Sequence, residues 1–221
     1  TRTMQLIQKT IIKYLKDKEP IEEEERFSKL VECEDIKKDI EILKGMLHIL
    51  SVLSINHHRS KRFFNKIERI IIYYKDHIQA LTNQQLFEIF KKSKRVLLFL
   101  FKQQLLIPDS YIFEKISKPK YSNSQNYLAY FYAEFKSFMT PRKQKEILQT
   151  LPKIEIYENL RQEGENESYI CKLIRNDSIQ DFVTFINQTP QSISTQIIPS
   201  IFETNAYLNN KKNLNLIEYA A

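Results

Sequence analysis

Glycine is almost absent: two residues among 221. Gly-rich phosphate loops, dinucleotide-binding turns and tight β-hairpins need backbone at positive φ, which glycine adopts at least cost. That scarcity argues against dinucleotide folds, P-loop enzymes and all-β sandwiches, and leaves a mostly helical chain. Cysteine is as scarce. Cys33 and Cys171 stand far apart without metal-ligand spacing and read as buried thiols of a reducing compartment, the cytoplasm. Long apolar runs are missing too. The longest, such as residues 96–101, fall far short of the ~20 residues that span a bilayer, and no signal-peptide pattern opens the chain. Sequons at Asn166, Asn176 and Asn187 follow from a chain rich in Asn, Ser and Thr.

What is present is enough for a core. At 42% hydrophobic and 28% charged, the chain suits one large domain or two small ones that bury about 70% of the unfolded surface. Its formal charge is +7, and the excess is local: residues 51–120 hold 14 basic and 5 acidic side chains. Nucleic acid, anionic lipid or an acidic protein surface would suit such a patch, and a solvated helix face has the same composition.

Helical periodicity runs along most of the chain. Residues 4–18 carry Leu6, Ile7, Ile11, Tyr14 and Leu15 on one stripe that ends before Pro20. The acidic run Glu22, Glu23, Glu24 and Glu25 suits the solvated first turn of a second helix. A third begins near Asp35, with Ile36, Ile40, Leu43, Leu47 and Leu50 at alternate spacings of four and three. It fades at Asn56-His57-His58. In residues 60–81, Phe63, Phe64, Ile67, Ile70, Ile71, Tyr74 and Ile78 share one side, with Lys61, Arg62, Lys66, Arg69 and Lys75 largely on the other. Short helices follow at 83–91, at 93–106 behind a Ser93 cap, and after Pro108-Asp109-Ser110, and residues 119–123 read as a loop. Tyr127, Tyr130, Phe131, Phe135 and Phe138 recur at helical spacing as core aromatics, and Thr140-Pro141 caps a helix over 142–151. From Glu158 the texture changes: residues 161–168 form a polar link, two compact helices follow at 169–176 and 178–187, and 189–215 read as a long loop with one short helix.

Two segments near the C-terminal end are more specific. Arg175-Asn176-Asp177-Ser178-Ile179-Gln180-Asp181-Phe182-Val183-Thr184-Phe185-Ile186 resembles the middle of an ankyrin repeat, with Asp177 where the turn glycine is usual and Gln180 where an acidic residue is usual. Asn215-Leu216-Ile217-Glu218-Tyr219-Ala220-Ala221 resembles the opening of a second repeat, with Leu216 in place of proline and Glu218 in place of histidine. Small residues at Ala220 and Ala221 suit close helix contact. The stretches Gly164 to Ser178 and Ser200-Ile201-Phe202-Glu203-Thr204-Asn205, with the segment from His57 to Glu68, are similar to a family of ankyrin-repeat proteins of flagellate and amoeboid protists that carry an uncharacterised helical N-terminal domain.

The resemblance implies an all-α protein built of stacked helix pairs, an N-terminal helical domain leading into an ankyrin-like solenoid. Residues 1–160 are the helical domain, 161–188 a degenerate ankyrin-like helix pair, 189–214 a long inserted loop, and 215–221 the start of a further repeat, so that the chain is the N-terminal portion and stops inside a repeat helix. Leu173, Ile174, Ile179, Phe182, Val183, Ile186, Ala220 and Ala221 are the expected packing residues. The implied function is non-catalytic protein–protein interaction, with the helical domain capping the solenoid.

Catalysis finds little support. His57-His58, with His48 and His77, have no acidic or thiol partner at ligand spacing and read as loop or capping residues. No strand–turn–helix elbow and no cysteine beside a histidine points to a nucleophile. The expectation is no enzyme, no cofactor and no metal. The one surface feature that stands out is the basic set Arg59, Lys61, Arg62, Lys66, Arg69, Lys75, Lys91, Lys92, Lys94 and Arg95. It defines two alternative readings: a structural component of a cytoskeletal or other large assembly, docked on an acidic surface such as a cytoskeletal polymer, or a nucleic-acid or anionic-lipid adaptor, though no nucleic-acid motif accompanies it.

Overall fold

The computed structural model describes residues 2–56, 61–118, 124–211 and 213–220, with side chains described for all of these except 56, 61, 124–126, 209 and 210. The chain divides into two compact units, residues 1–108 and 109–221. All regular structure among the described residues is helical apart from one isolated antiparallel bridge between Gln196 and Asn215. The division falls inside the stretch 1–160 that the sequence treats as one helical domain.

The first unit consists of α1 (Arg2–Lys16), α2 (Pro20–Val31), α3 (Glu34–Lys38), α4 (Ile40–Asn56), α5 (Lys61–Tyr73), α6 (Lys75–Ile78), α7 (Asn83–Phe90) and α8 (Lys94–Lys102). Helix α4 is its centre, touched by α1, α3, α5, α7 and α8. Leu43, Met46, Leu47 and Leu50 of α4 are buried, as are Ile11 of α1, Ile67 of α5, Phe90 of α7 and Leu100 of α8. One of the two glycines, Gly45, lies on α4 where the methyl end of Met4 from α1 comes within 2.7 Å of the place a Cβ would occupy.

Four expectations about helices need correction here. The stripe from Ile36 to Leu50 is two helices, because Asp39 breaks it: its backbone is extended and its carboxylate accepts from the amides of Glu41 and Ile42 at 2.8 and 3.4 Å. The break resets the phase, so Ile40 is exposed while Ile36 and Leu43 are buried. Residues 60–81 likewise divide at Tyr74. The seven apolar positions read for that segment are all buried, yet Lys66, assigned to its polar side, is 3% exposed. Ser93 precedes α8 as expected but makes no cap bond, since its hydroxyl instead accepts from Ser54 of α4 at 2.8 Å.

The second unit consists of α9 (Ser110–Ser117), α10 (Ser124–Tyr130), α11 (Tyr132–Phe135), a 3-10 turn (Lys136–Phe138), α12 (Pro141–Leu148), α13 (Ile154–Glu163), α14 (Tyr169–Arg175), α15 (Ile179–Gln188), α16 (Ala206–Asn210) and α17 (Leu216–Ala220). Asp109 and Thr140 cap α9 and α12, accepting from Ile112 and Lys143. The aromatic segment after Tyr127 is not one helix, because α10 ends at Tyr130 and the non-helical Phe131 separates it from α11. Tyr130, Phe131 and Phe135 are buried, and Phe138 is partly exposed. The loop read at 119–123 and the pair His57-His58 lie outside the described residues.

Positive φ is needed after all, and residues other than glycine supply most of it. Gln104, Asp177 and Asn213 adopt φ of 56°, 52° and 60°, beside Gly164 at 69°. After α8, Leu105 N–H bonds Leu100 C=O and Gln104 N–H bonds Phe101 C=O. After α14, Ser178 bonds Leu173 and Asp177 bonds Ile174 in the same pattern. Both are Schellman terminations with a left-handed residue where glycine is favoured. Asp tolerates that conformation better than Gln.

Candidate interaction surfaces

The basic helix α5 carries its cations towards an acidic strip on α2. Lys66 Nζ donates to the carbonyls of Tyr14 and Asp17, both at 2.7 Å, and approaches the Glu23 carboxylate at 3.0 Å. Those carbonyls belong to the C-terminal end of α1, where orphan acceptors and the negative end of the dipole favour a cation. Arg62 donates to Lys18 C=O and to Glu23, at 2.7 and 2.8 Å. Arg69 binds Glu24 through both terminal nitrogens, at 2.7 and 2.8 Å, while its guanidinium covers the Phe27 ring at 3.8 Å. The acidic run is therefore not the freely solvated helix start that the sequence suggests.

These pairs move the carboxyl groups. Burial pushes Glu23 up, but hydrogen bonds from Arg62 and Lys66 outweigh it and hold the group below the usual carboxylate range. The hydrogen bond from Arg69 holds Glu24 low. Burial pushes the Tyr14 hydroxyl up to about 12.

Among the remaining members of the basic set that are described, three are engaged or covered. Lys91 pairs with Glu88 at 2.7 Å, Lys94 is 1% exposed, and Arg95 covers the Phe64 ring at 4.0 Å. Lys75 and Lys92 are exposed. Arg59 lies outside the described residues. Lys61 opens α5, with its side chain outside them.

In the second unit the two stretches quoted for the resemblance come together. Gly164 ends α13 in the left-handed conformation, and its carbonyl accepts from both the amide and the hydroxyl of Thr204, at 3.0 and 2.8 Å. The Glu203 carboxylate, itself buried, accepts from the amides of Asn166 and Asn205. Asn166 Nδ2 donates to Ile198 C=O, Ser200 bonds Glu167, and Asn205 caps α16. Residues 161–168 are accordingly no polar link: Asn166 is buried and Arg161 is 0% exposed. Arg161 sits beside the Tyr130 and Tyr157 rings, bonded to Glu134 at 2.5 Å and to Glu158 at 3.3 Å. Burial opposes its charge, but Glu134 holds the guanidinium protonated.

The ankyrin-like residues fall into three groups. Leu173 is buried with Ile170 and Cys171 in a cluster that includes Leu216 and Tyr219, and Ile174, Phe182 and Ile186 pack half-buried against it. Ile179 and Val183 are 60% and 50% exposed, so they form the outer face of α15 and not its packing face. Ala220 is exposed and Ala221 lies outside the described residues. The close contact of α17 with α14 is made instead by Tyr219, whose hydroxyl accepts from Arg175 at 2.9 Å. Asn215 and Glu218 form a reciprocal capping pair at the start of α17, with side chain and amide exchanged in both directions. That pairing gives Glu218 its local duty. Burial also raises the Cys171 thiol above its ordinary value, which makes it a poor nucleophile.

Among the described residues, no group of three or more His, Cys, Asp and Glu side chains is placed to hold a metal ion, and no helix is long and apolar enough to cross a membrane. Fold and surfaces together define an all-α protein. No protein-family model, no curated protein and no solved structure matches the chain.

Proposed function

We propose that the chain is a non-catalytic protein–protein interaction module: a helical N-terminal region, resident in the cytoplasm, that caps an ankyrin-like solenoid. The observation that carries this reading is the placement of α17 against α14. In a stacked array each helix pair contacts its neighbour, and first helix lies on first helix. Helix α14 is the first of a pair closed by the left-handed Asp177, and α17 opens the next pattern. The apolar outer face of α15 at Ile179 and Val183 fits an element that expects a neighbour. The assembly-docking and nucleic-acid readings draw on a basic face whose Arg62, Lys66 and Arg69 are already paired with Glu23 and Glu24.

The test is affinity capture with the full chain, eluted in rising salt, beside the double variant Ile179→Glu/Val183→Glu at two exposed positions. Retention of a defined protein through high salt by the native chain, and its loss in the variant, is expected. Release of all bound material at low salt, or capture indifferent to the variant, overturns the reading, because charged interfaces weaken with ionic strength and apolar ones do not.

A further inference from the structure

Two threonines in this chain precede proline, Thr140 and Thr189, and no serine does. The sequence around them differs. Thr140-Pro141 is followed by Arg142, Lys143 and Lys145, whereas Thr189-Pro190 is followed by Gln191 and Ser192 with no nearby cation. The structure separates them further. Thr189 is half-buried and its hydroxyl donates to Phe185 C=O at 2.9 Å. Thr140 is exposed, and its hydroxyl oxygen receives only a long 3.3 Å bond from Lys143 N–H at the open end of α12.

We propose that Thr140 is a phosphoacceptor for a proline-directed serine/threonine kinase, and that phosphorylation consolidates helix α12. Thr140 Oγ forms the new bond to the γ-phosphorus of a nucleoside triphosphate as the bond from that phosphorus to the β,γ-bridging oxygen breaks. The hydroxyl proton passes to the kinase's base and the nucleoside diphosphate leaves. A kinase needs the acceptor in extended chain, and this segment yields it easily. Met139 and Thr140 are already extended, and Pro141 contributes no amide to be freed. Of α12 itself only Ile147 is buried, so opening its first turn breaks the Thr140 cap bond and the Gln144 side-chain bonds to the Lys136 and Met139 carbonyls but strips no other buried side chain from α12.

Once formed, the phosphate finds donors in place. Its oxygens succeed the hydroxyl as acceptor of the Lys143 amide at a helix N-terminus, where anions are favoured. Arg142 and Lys143 both approach the single carboxylate of Glu146, at 3.8 and 2.9 Å, so one cation can turn to the phosphate without leaving Glu146 unpaired.

The experiment incubates the full chain with a kinase of the cyclin-dependent class and Mg-ATP, then maps phosphate by mass spectrometry and amide exchange before and after. One phosphate per chain on Thr140, none on Thr189, and slower exchange across α12 are expected. Thr140→Asn, which keeps a capping side chain, is expected to take up none. Thr140→Ser, which keeps the hydroxyl, is expected to be modified at the same place. Absence of phosphate on Thr140, equal modification of Thr189, or unchanged exchange in α12 after modification overturns the proposal.

Discussion

Residues 1–108 and 109–221 are nearly equal in length yet handle charge differently. The first unit holds 21 Lys and Arg against 14 Asp and Glu; the second holds 13 of each. In the first, an acidic strip on α2 closes over the cations of α5, and most of these pairs remain in reach of water. In the second, charge and amide groups go inside: Asn166, Glu203 and Asn205 are buried and hold down a loop with too few apolar side chains to pack itself, and Arg161 is buried against Glu134 of a neighbouring helix. Exposed pairs steer and orient at little net stability, whereas buried polar groups cost heavily when a partner is lost. The basic unit is thus the better candidate for electrostatic encounter, and the neutral unit, with the apolar face of α15, for a salt-resistant interface.

The largest effect is expected at the helix pair of the second unit. Leu173→Asp places an unpaired charge in the cluster with Cys171 and Tyr219 and should cost more than about 4 kcal/mol, unfolding α14, α15 and α17. Phe182→Asp, at a half-buried position, should cost clearly less. Urea unfolding with amide exchange reads both, and a native-like transition for Leu173→Asp would falsify the packing described. Arg161→Leu comes next: it strands Glu134 and should cost about 3–5 kcal/mol.

The matching change in the first unit is Lys66→Leu. It leaves two carbonyls at the end of α1 without their donor, and a loss of about 2–3 kcal/mol is expected. If it equalled or exceeded the loss for Arg161→Leu, the contrast between the water-accessible clasp around Lys66 and the enclosed Arg161–Glu134 pair would fail. Acid should distinguish the units as well. Glu23 and Glu24 are held below their ordinary value near 4.5 in the folded chain, so their contribution is present above that pH and is lost as pH falls through the lowered values. Glu23→Gln should remove part of this acid loss, measured as stability against pH. Unaltered acid sensitivity would show that the clasp is not its source.

The smallest effects concern the left-handed terminators. Gln104→Gly in the first unit should stabilise by roughly 1 kcal/mol, and Asp177→Gly in the second by less, because Asp already tolerates positive φ. Thermal melts that reverse this order would mean that the Asp177 side chain has a role beyond the turn.

Much of the helical layout was legible along the chain. The stripe of Phe63, Phe64, Ile67, Ile70, Ile71 and Tyr74 is buried as a period of 3.6 requires, and Thr140-Pro141 caps a helix. What misled was local chemistry that interrupts a period without altering it. Asp39 can sit on a helix or cap one, and only the extended backbone there settles which. Lys66 occupies a polar position in the pattern, but its long stem reaches the end of a helix 49 to 52 residues earlier. Ala220 suggested a close contact from its size, while the contact depends on Tyr219.

Composition and periodicity alone determined that this protein is helical, since two glycines leave few tight turns and the apolar residues recur at helical spacing. They also located the charge. Tertiary structure alone decided which charges are free, that Arg161 is internal, and that the stretches around Gly164 and Glu203 are one knot. The physical reason is range. Periodicity is set by neighbours three or four residues apart, whereas the pairing of a charge depends on groups that only the fold brings within 3 Å.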